Sequence, residues 1–507
     1  MDQIIVLDFG GQYCHLISRR MREIGLYCEV KPSDTTAQEL KNTPNLKGII
    51  LSGGAASVFD EDSPTCSTDI LQLGIPILGI CYGHQLIAHM LGGKVESGTA
   101  GEYGLTEIHV LNPGKILSNN PDKARVWMNH RDIVAKLPEG FMALASTEHS
   151  KIAAYANEDK KIYGVQYHPE VTHTEYGMKI FQNFANICGA SFDWSMDDFT
   201  QKAIEEAKKV VGQRKAVIGL SGGVDSSCAA VLVGKALGEN LTAVYVDTGL
   251  MRHMETEFME KSFSAKEMDF KIVRAADRFF TALRGVDDPE KKRKIIGSLF
   301  IDIFEEEAEK VGAEVLIQGT IYSDRIESGI TKHSDNIKSH HNVAGLKDDM
   351  KLEVYEPLRD LYKDEVRKIA KKLGLPDEII KRHVFPGPGL AIRVLGEVTP
   401  EKAKITRKAS YIIEEELKRE GVYEDYWMGF AVLLPLKSVG IQGDSRTYKY
   451  PVVVRIIESK DAMTANFSHV PYKILEQIST RITNEIPEVN RVVYDITNKP
   501  PATMEWE

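Results

Sequence analysis

Ile75-Pro-Ile-Leu-Gly-Ile-Cys-Tyr-Gly-His-Gln85 is a buried-type apolar run that ends on a cysteine and turns, through glycine, into a helical pattern. A strand feeding a helix through a tight turn is the unit of an α/β fold, and a cysteine on that turn is presented like the nucleophile of an elbow. The spacing predicts a strand over Pro76–Ile80 and a helix starting at about Gly83 or His84, running to Leu91. At a helix N-terminus Cys81 meets the positive end of the macrodipole, which favours a thiolate. Burial alone is the commoner fate of a free cysteine, so a base is needed to make Cys81 a nucleophile.

Working outward, Ile4–Leu7, Gly48–Leu51 and Ile162–Tyr167 read as further strands and Gln12–Ile24 as a helix, which makes residues 1–190 an α/β domain on a largely parallel sheet. Gly164-Val-Gln-Tyr-His-Pro-Glu170 supplies the base: His168 leaves the end of a strand, and Glu170 stands two residues on to fix its tautomer. Leu51-Ser-Gly-Gly54 offers backbone N–H groups suited to an oxyanion. Taken together with Asp8-Phe-Gly-Gly-Gln12, these segments resemble the class I glutamine amidotransferases. The resemblance implies Cys81 as nucleophile, His168 as base, Glu170 as its orienting partner, and Gly54 and Tyr82 as oxyanion-hole amides.

A second α/β domain, 191–384, opens with an amphipathic helix from about Met196 to Val211. The strands Ala216–Leu220, Leu241–Asp247 and Glu314–Gln318 follow. Its first strand runs into Ser221-Gly-Gly-Val-Asp-Ser-Ser227, ahead of an apolar helix expected near Ser226. Small residues there let successive N–H groups face an anion, and the hydroxyls of Ser221, Ser226 and Ser227 add donors. The loop lacks the Gly-Lys-Ser/Thr ending of a Walker loop. It resembles the signature of ATP pyrophosphatases, which implies binding of ATP and pyrophosphate by Ser221, Gly222, Gly223, Val224, Asp225, Ser226 and Ser227, with Asp225 holding Mg²⁺. Thr331–Lys351 loses apolar periodicity and is rich in Lys, His, Asp and Asn, so a lid carrying Lys338, His340 and His341 is expected.

Residues 385–507 read as a smaller α+β domain with a helix over Pro400–Glu420 and strands over Phe430–Leu434 and Val452–Ile457. Its segments Arg382-His-Val-Phe-Pro-Gly-Pro-Gly389, Gly440-Ile-Gln-Gly-Asp-Ser-Arg446 and Lys499-Pro-Pro-Ala-Thr-Met-Glu-Trp-Glu507 resemble the GMP synthase family, as do His340-His-Asn-Val-Ala-Gly345 and Glu356-Pro-Leu-Arg-Asp-Leu361. Membership would imply dimerisation through the third domain and XMP, ATP and glutamine as substrates. It also implies an XMP site of Gln442, Lys499, Met504 and Glu505, and Arg293 adds a candidate cation for the nucleotide's phosphate. Other glutamine-dependent ATP pyrophosphatases, the NAD⁺ or asparagine synthetases, and a non-catalytic nucleotide-binding regulator are the alternatives.

Composition sets the frame for these motifs. A chain of 507 residues exceeds the ~250–300 residues one core can serve, and 43% hydrophobic with 27% charged residues suits several globular domains. The net charge of -10 argues against non-specific nucleic-acid binding. The apolar run Ile4–Leu7 is too short for a signal or a membrane span, and the six cysteines form no CxxC pair, so a cytoplasmic protein with reduced thiols is expected.

Overall fold

The computed structural model describes residues 2–60, 62–322, 324, 352–459 and 464–507. Among them, contacts divide the chain into one compact unit up to Phe199 and another from Thr200 onward.

The first unit is built on nine strands: β1 (Gln3–Asp8), β2 (Tyr27–Pro32), β3 (Leu46–Leu51), β4 (Ile77–Ile80), β5 (Lys94–Val110), β6 (Lys123–Lys136), β7 (Met142–Ser146), β8 (Ala154–Asn157) and β9 (Ile162–Val165). They lie in the order β2-β1-β3-β4-β9-β8-β7-β5-β6. The first five are parallel, and the last four form an antiparallel flank. Both faces of the parallel part are covered, which is why its strands read as unbroken apolar runs. Ile4 and Val6 point into one core with Ile50, Leu78 and Ile80; Ile5 and Leu7 point into the other with Ile49, Leu51 and Ile77. Truncating any of these fully buried aliphatics to alanine costs ~2–5 kcal/mol.

The second unit contains two sheets. In the first, β10 (Ala216–Leu220), β11 (Leu241–Asp247), β12 (Asp269–Arg274), β13 (Val315–Ile317) and β14 (Glu353–Tyr355) are all parallel in the order β12-β11-β10-β13-β14. The chain departs from β10 in one direction and returns on its other side, so the carboxyl end of β10 is the switch point where such sheets bind ligands. The remaining sheet sets β15 (Met428–Leu433) and β16 (Ser438–Gln442) beside the long β17 (Ser445–Glu458), which also pairs with β18 (Asn466–Phe467) and β19 (Val489–Tyr494). Helices Pro400–Arg419 and Tyr472–Glu485 close one apolar core on it through Ile405, Ile412, Ile413, Ile474, Ile478 and Ile482.

Two helices start earlier than their sequence pattern suggests. The helix after β4 begins at Tyr82, and the one after β10 begins at Val224 with Gly223 as the capping residue in an extended conformation. The polar Asp225 and Ser226 invite reading as caps, but they already lie in the first turn, where the Ser226 hydroxyl turns back to Ser221.

Candidate active sites

The motifs of the first unit meet because they follow the carboxyl ends of adjacent parallel strands. β4 lies between β3 and β9, with Gly79 opposite Leu51 and Ile80 opposite Val165. The next residues are Cys81 on one strand, Ser52–Gly54 on its neighbour and Gln166–His168 on the other. The Cys81 N–H donates to Val165 O at 2.9 Å, which pins the turn to the β9 side.

Cys81 has φ 51° and ψ −103°, a conformation that L residues rarely take, and it is 4% exposed. Such backbone costs ~1–3 kcal/mol and persists only where its surroundings enforce it. Two glycines do so: a Cβ on Gly79 would stand 2.5 Å from Gly83 O, and one on Gly83 would collide with Leu51 O. The helix can approach the strand this closely only without those side chains, and the turn is forced onto the cysteine.

His168 is 5% exposed and its Nδ1 lies 2.7 Å from Glu170 Oε1, with Glu170 fully buried. Burial disfavours the imidazolium, but the facing charges of Glu170 and Cys81 outweigh it and hold the His168 pKa well above its usual range. The pair is braced by Thr174 Oγ1, which donates to His168 O at 2.6 Å, and by Arg20 Nε, which donates to Glu170 O at 2.9 Å. A Cβ on Gly53 would touch both His168 Cε1 (3.1 Å) and Cys81 Cβ (3.7 Å), so glycine there keeps the space between nucleophile and base open. Gly54 and Tyr82 adjoin: a Cβ on Gly54 would lie 3.2 Å from Tyr82 Cγ. The Cys81 and Gly83 amides are committed, the latter to Ser52 O at 3.1 Å, whereas the Tyr82 N–H belongs to the helix's first turn, which has no acceptor within the helix.

Gln166 and Asn129 complete the surroundings of the thiol and were not singled out from the sequence. Gln166 Nε2 is 3.8 Å from Cys81 Sγ, and Asn129 O is 3.8 Å from the same atom. Gln85, within the elbow motif, donates to Asp132 O at 2.7 Å and to Gln166 Oε1 at 3.2 Å. Gln166 stands two residues before His168 in a motif already quoted, so strand-end position was its available signal.

At the end of β10 the phosphate loop closes on itself. Ser221 and Ser226 Oγ are 3.0 Å apart, Ser221 N donates to Ser226 Oγ at 3.3 Å, and Gly223 N donates to Ser221 Oγ at 3.3 Å. Gly222 takes φ +76°, open to glycine alone without strain. Asp225 Oδ1 is buried and makes no hydrogen bond among the described residues, while Oδ2 pairs with Lys363. Ser227 is fully buried. Lys363 carried no sequence signal beyond following Glu356-Pro-Leu-Arg-Asp-Leu361.

The five residues expected to bind XMP are each engaged with other parts of the chain. Arg293 donates to Glu507 O at 2.5 Å and to Glu290 at 2.9 Å. Glu505 is held by Arg393 through two bonds of 2.7 and 3.0 Å. Met504 packs against the apolar cluster that includes Phe430 and Val453, and its carbonyl accepts from the buried Arg455 at 3.0 Å. Arg293, Met504 and Glu505 thus share the tail's docking surface. Lys499 is half-buried, exchanging backbone bonds with Ala465. Gln442 ends β16, tied to Lys449 and to Val489 O. Lys338, His340 and His341 lie outside the described residues.

These geometries define a class I amidotransferase site and an ATP pyrophosphatase-type loop on one chain, and comparison with known proteins agrees. Residues 5–188 match the family "Glutamine amidotransferase class-I", 196–283 match "NAD synthase", and 415–506 match "GMP synthase C terminal domain". The glutamine-hydrolysing GMP synthase of Caldicellulosiruptor saccharolyticus is 52% identical over 508 residues, covering 99% of each chain. That of Carboxydothermus hydrogenoformans is 52% identical over 509 residues, covering 100% of each. That of Aquifex aeolicus is 51% identical over 506 residues, covering 99% of each. The chain belongs to the glutamine-hydrolysing GMP synthase family.

Proposed function

We propose that this chain converts XMP, ATP and glutamine into GMP, AMP, pyrophosphate and glutamate, as a step in guanine nucleotide synthesis. The observation that carries the reading is its identity, along the whole length, with glutamine-hydrolysing GMP synthases. In the first domain, 1–190, Cys81 Sγ attacks the side-chain amide carbon of glutamine. His168 receives the thiol proton and returns it to the departing ammonia, leaving a thioester that water hydrolyses to glutamate. Glu170 holds the ring, and the Gly54 and Tyr82 amides receive the oxyanion.

In the second domain, 191–384, the C2 oxygen of XMP attacks the α-phosphorus of ATP and pyrophosphate leaves. Ammonia then adds at C2, and AMP departs with the oxygen. The Ser221–Ser227 loop receives the polyphosphate. Asp225, with one buried oxygen that has no hydrogen-bond partner among the described residues, suits a Mg²⁺ ion, which would neutralise charge on the departing pyrophosphate. XMP would be held by Arg293, Gln442, Lys499, Met504 and Glu505, while the expected lid residues Lys338, His340 and His341 lie outside the described residues. The third domain, 385–507, would pair two copies of the chain. Exposed Val439, Ile441 and Tyr448 on the β16–β17 hairpin support that reading, Ile441 being 76% exposed. We place the enzyme in the cytoplasm; among the described residues no helix is long and apolar enough to cross a membrane.

The test supplies amide-¹⁵N glutamine, XMP, ATP and Mg²⁺. The label should appear in the 2-amino group of GMP, with one AMP and one pyrophosphate formed for each GMP. Cleavage of ATP to ADP, or no GMP, would contradict the proposal.

A further inference from the structure

Against the phosphate loop lies an ion pair between Glu255, which no motif marked, and Arg382, which opens the Arg382–Gly389 segment. Arg382 Nη1 donates to Gly222 O at 2.8 Å and to Glu255 Oε1 at 2.5 Å. Both side chains are largely buried, Glu255 at 4% and Arg382 at 14% exposure, and the guanidinium lies over the Phe258 ring, 5.2 Å from its centre. Glu255 begins the helix Glu255–Phe263, and Arg382 follows the helix Asp377–Ile380. The fold therefore brings two distant parts of the chain to one glycine.

Two physical consequences follow. In a trans peptide the carbonyl and the next N–H point in opposite directions, so holding Gly222 O on Arg382 turns the Gly223 N–H to the inner side of the loop. There it meets Ser221 Oγ at 3.3 Å. Gly222 must also be glycine for this, because a Cβ at its φ of +76° would strike Glu255 Oε1. The second consequence is electrostatic. A bare Glu255 carboxylate beside this loop would repel a polyphosphate, and the Arg382 charge cancels it.

Resting on the reading of Ser221–Ser227 as the ATP loop, we propose that Arg382 and Glu255 are positioning residues for ATP. Together they form a neutral clamp that fixes the Gly222–Gly223 peptide with its N–H toward the phosphates. The roles are unequal. Losing Arg382 frees the peptide and uncovers the carboxylate, whereas losing Glu255 leaves Arg382 on Gly222 O. Removing both restores charge neutrality without the grip.

The experiment measures binding of Mg·ATP and of Mg·pyrophosphate to the full-length chain by calorimetry, with the unfolding midpoint of each variant. Arg382→Gln is expected to weaken both ligands ~10-fold or more, since one member of a buried, hydrogen-bonded charge pair is lost. Glu255→Gln should weaken them less than about threefold, and the double variant should bind better than Arg382→Gln alone. A merely structural role would lower unfolding midpoints without that recovery. Arg382→Lys keeps the charge but not the planar fork, so it should fall between wild type and Arg382→Gln; it serves if the latter fails to fold. If the wild type binds and Arg382→Gln or Arg382→Lys binds equally well, or the double variant does not improve on Arg382→Gln, the clamp is wrong. If the wild type binds neither ligand, the ATP-loop reading fails and the clamp falls with it.

Discussion

The elbow at Cys81 and the loop at Ser221–Ser227 are built from the same part, a glycine-rich turn from a buried parallel strand into a helix, yet they place conformational stress in opposite ways. At the elbow the unfavourable φ of 51° falls on the reacting residue itself, and the glycines on either side are there to let the helix approach. In the loop the positive φ falls on Gly222, which takes it without strain, while the side chains around it satisfy one another. Where a side chain does the chemistry, the turn projects that side chain. Where backbone amides do it, the turn must aim peptides, and distant residues such as Arg382 hold them.

Substitutions at the two turns test that contrast. The largest effect is expected at the base. Glu170→Gln removes the charge that raises the His168 pKa, so burial should then leave the ring neutral, and glutamine hydrolysis should fall ~10³–10⁴-fold, as when a triad carboxylate is neutralised. NMR titration of His168 should show protonation persisting well above neutral pH in the wild type and lost at lower pH in the variant. The sign for stability follows from linkage. A raised folded-state pKa adds stability that is whole below the ordinary value of ~6.5 and is lost as pH rises through the folded-state value. The wild type's advantage over Glu170→Gln in unfolding midpoint should therefore shrink from pH 6 to pH 9, and an advantage that grows with pH would contradict the assignment.

In the loop, Gly222→Ala adds a Cβ at positive φ and against Glu255, a strain of ~1–3 kcal/mol or more that should cost ammonium-dependent GMP formation about 10–100-fold. Hydrolysis of glutamine should survive it, and its loss would show that the loop serves more than ATP. Lys363→Met should have a smaller effect. It frees Asp225 for Mg²⁺ but removes a cation from the loop, so KM for Mg·ATP should rise about three- to tenfold while the Mg²⁺ requirement falls. An unchanged KM would leave the ion pair without a role in ATP binding. Smallest is a stability difference at the elbow: Cys81→Gly should unfold a few degrees above Cys81→Ala, because glycine relieves ~1–3 kcal/mol of strain. Equal midpoints by calorimetry would mean the turn is not strained.

Much of this was legible in the chain because the reacting residues follow short, strongly apolar strands. Four motifs at the ends of β1, β3, β4 and β9 specify one site once the strands are taken as parallel neighbours, and the serine-rich loop announces the second. The antiparallel flank escaped notice, although Lys123–His130 on β6 alternates exposed and buried side chains, because its polar residues broke up any apolar run. Residues that support the sites from afar were illegible for a different reason. Glu255 and Lys363 carry ordinary surface-type charges in helical patterns, and Arg382 sits in a motif whose sequence does not say what it grips. Only the folded chain brings them to Gly222 and Asp225.

The most direct test of the account compares GMP formation from XMP, ATP and Mg²⁺ with glutamine or with ammonium as nitrogen source, in the wild type and in Cys81→Ala. The account predicts that the wild type uses both sources and that Cys81→Ala loses the glutamine reaction while keeping the ammonium one. A variant that still used glutamine, or one that lost both reactions while remaining folded, would contradict the assignment of two separate chemistries to the two turns.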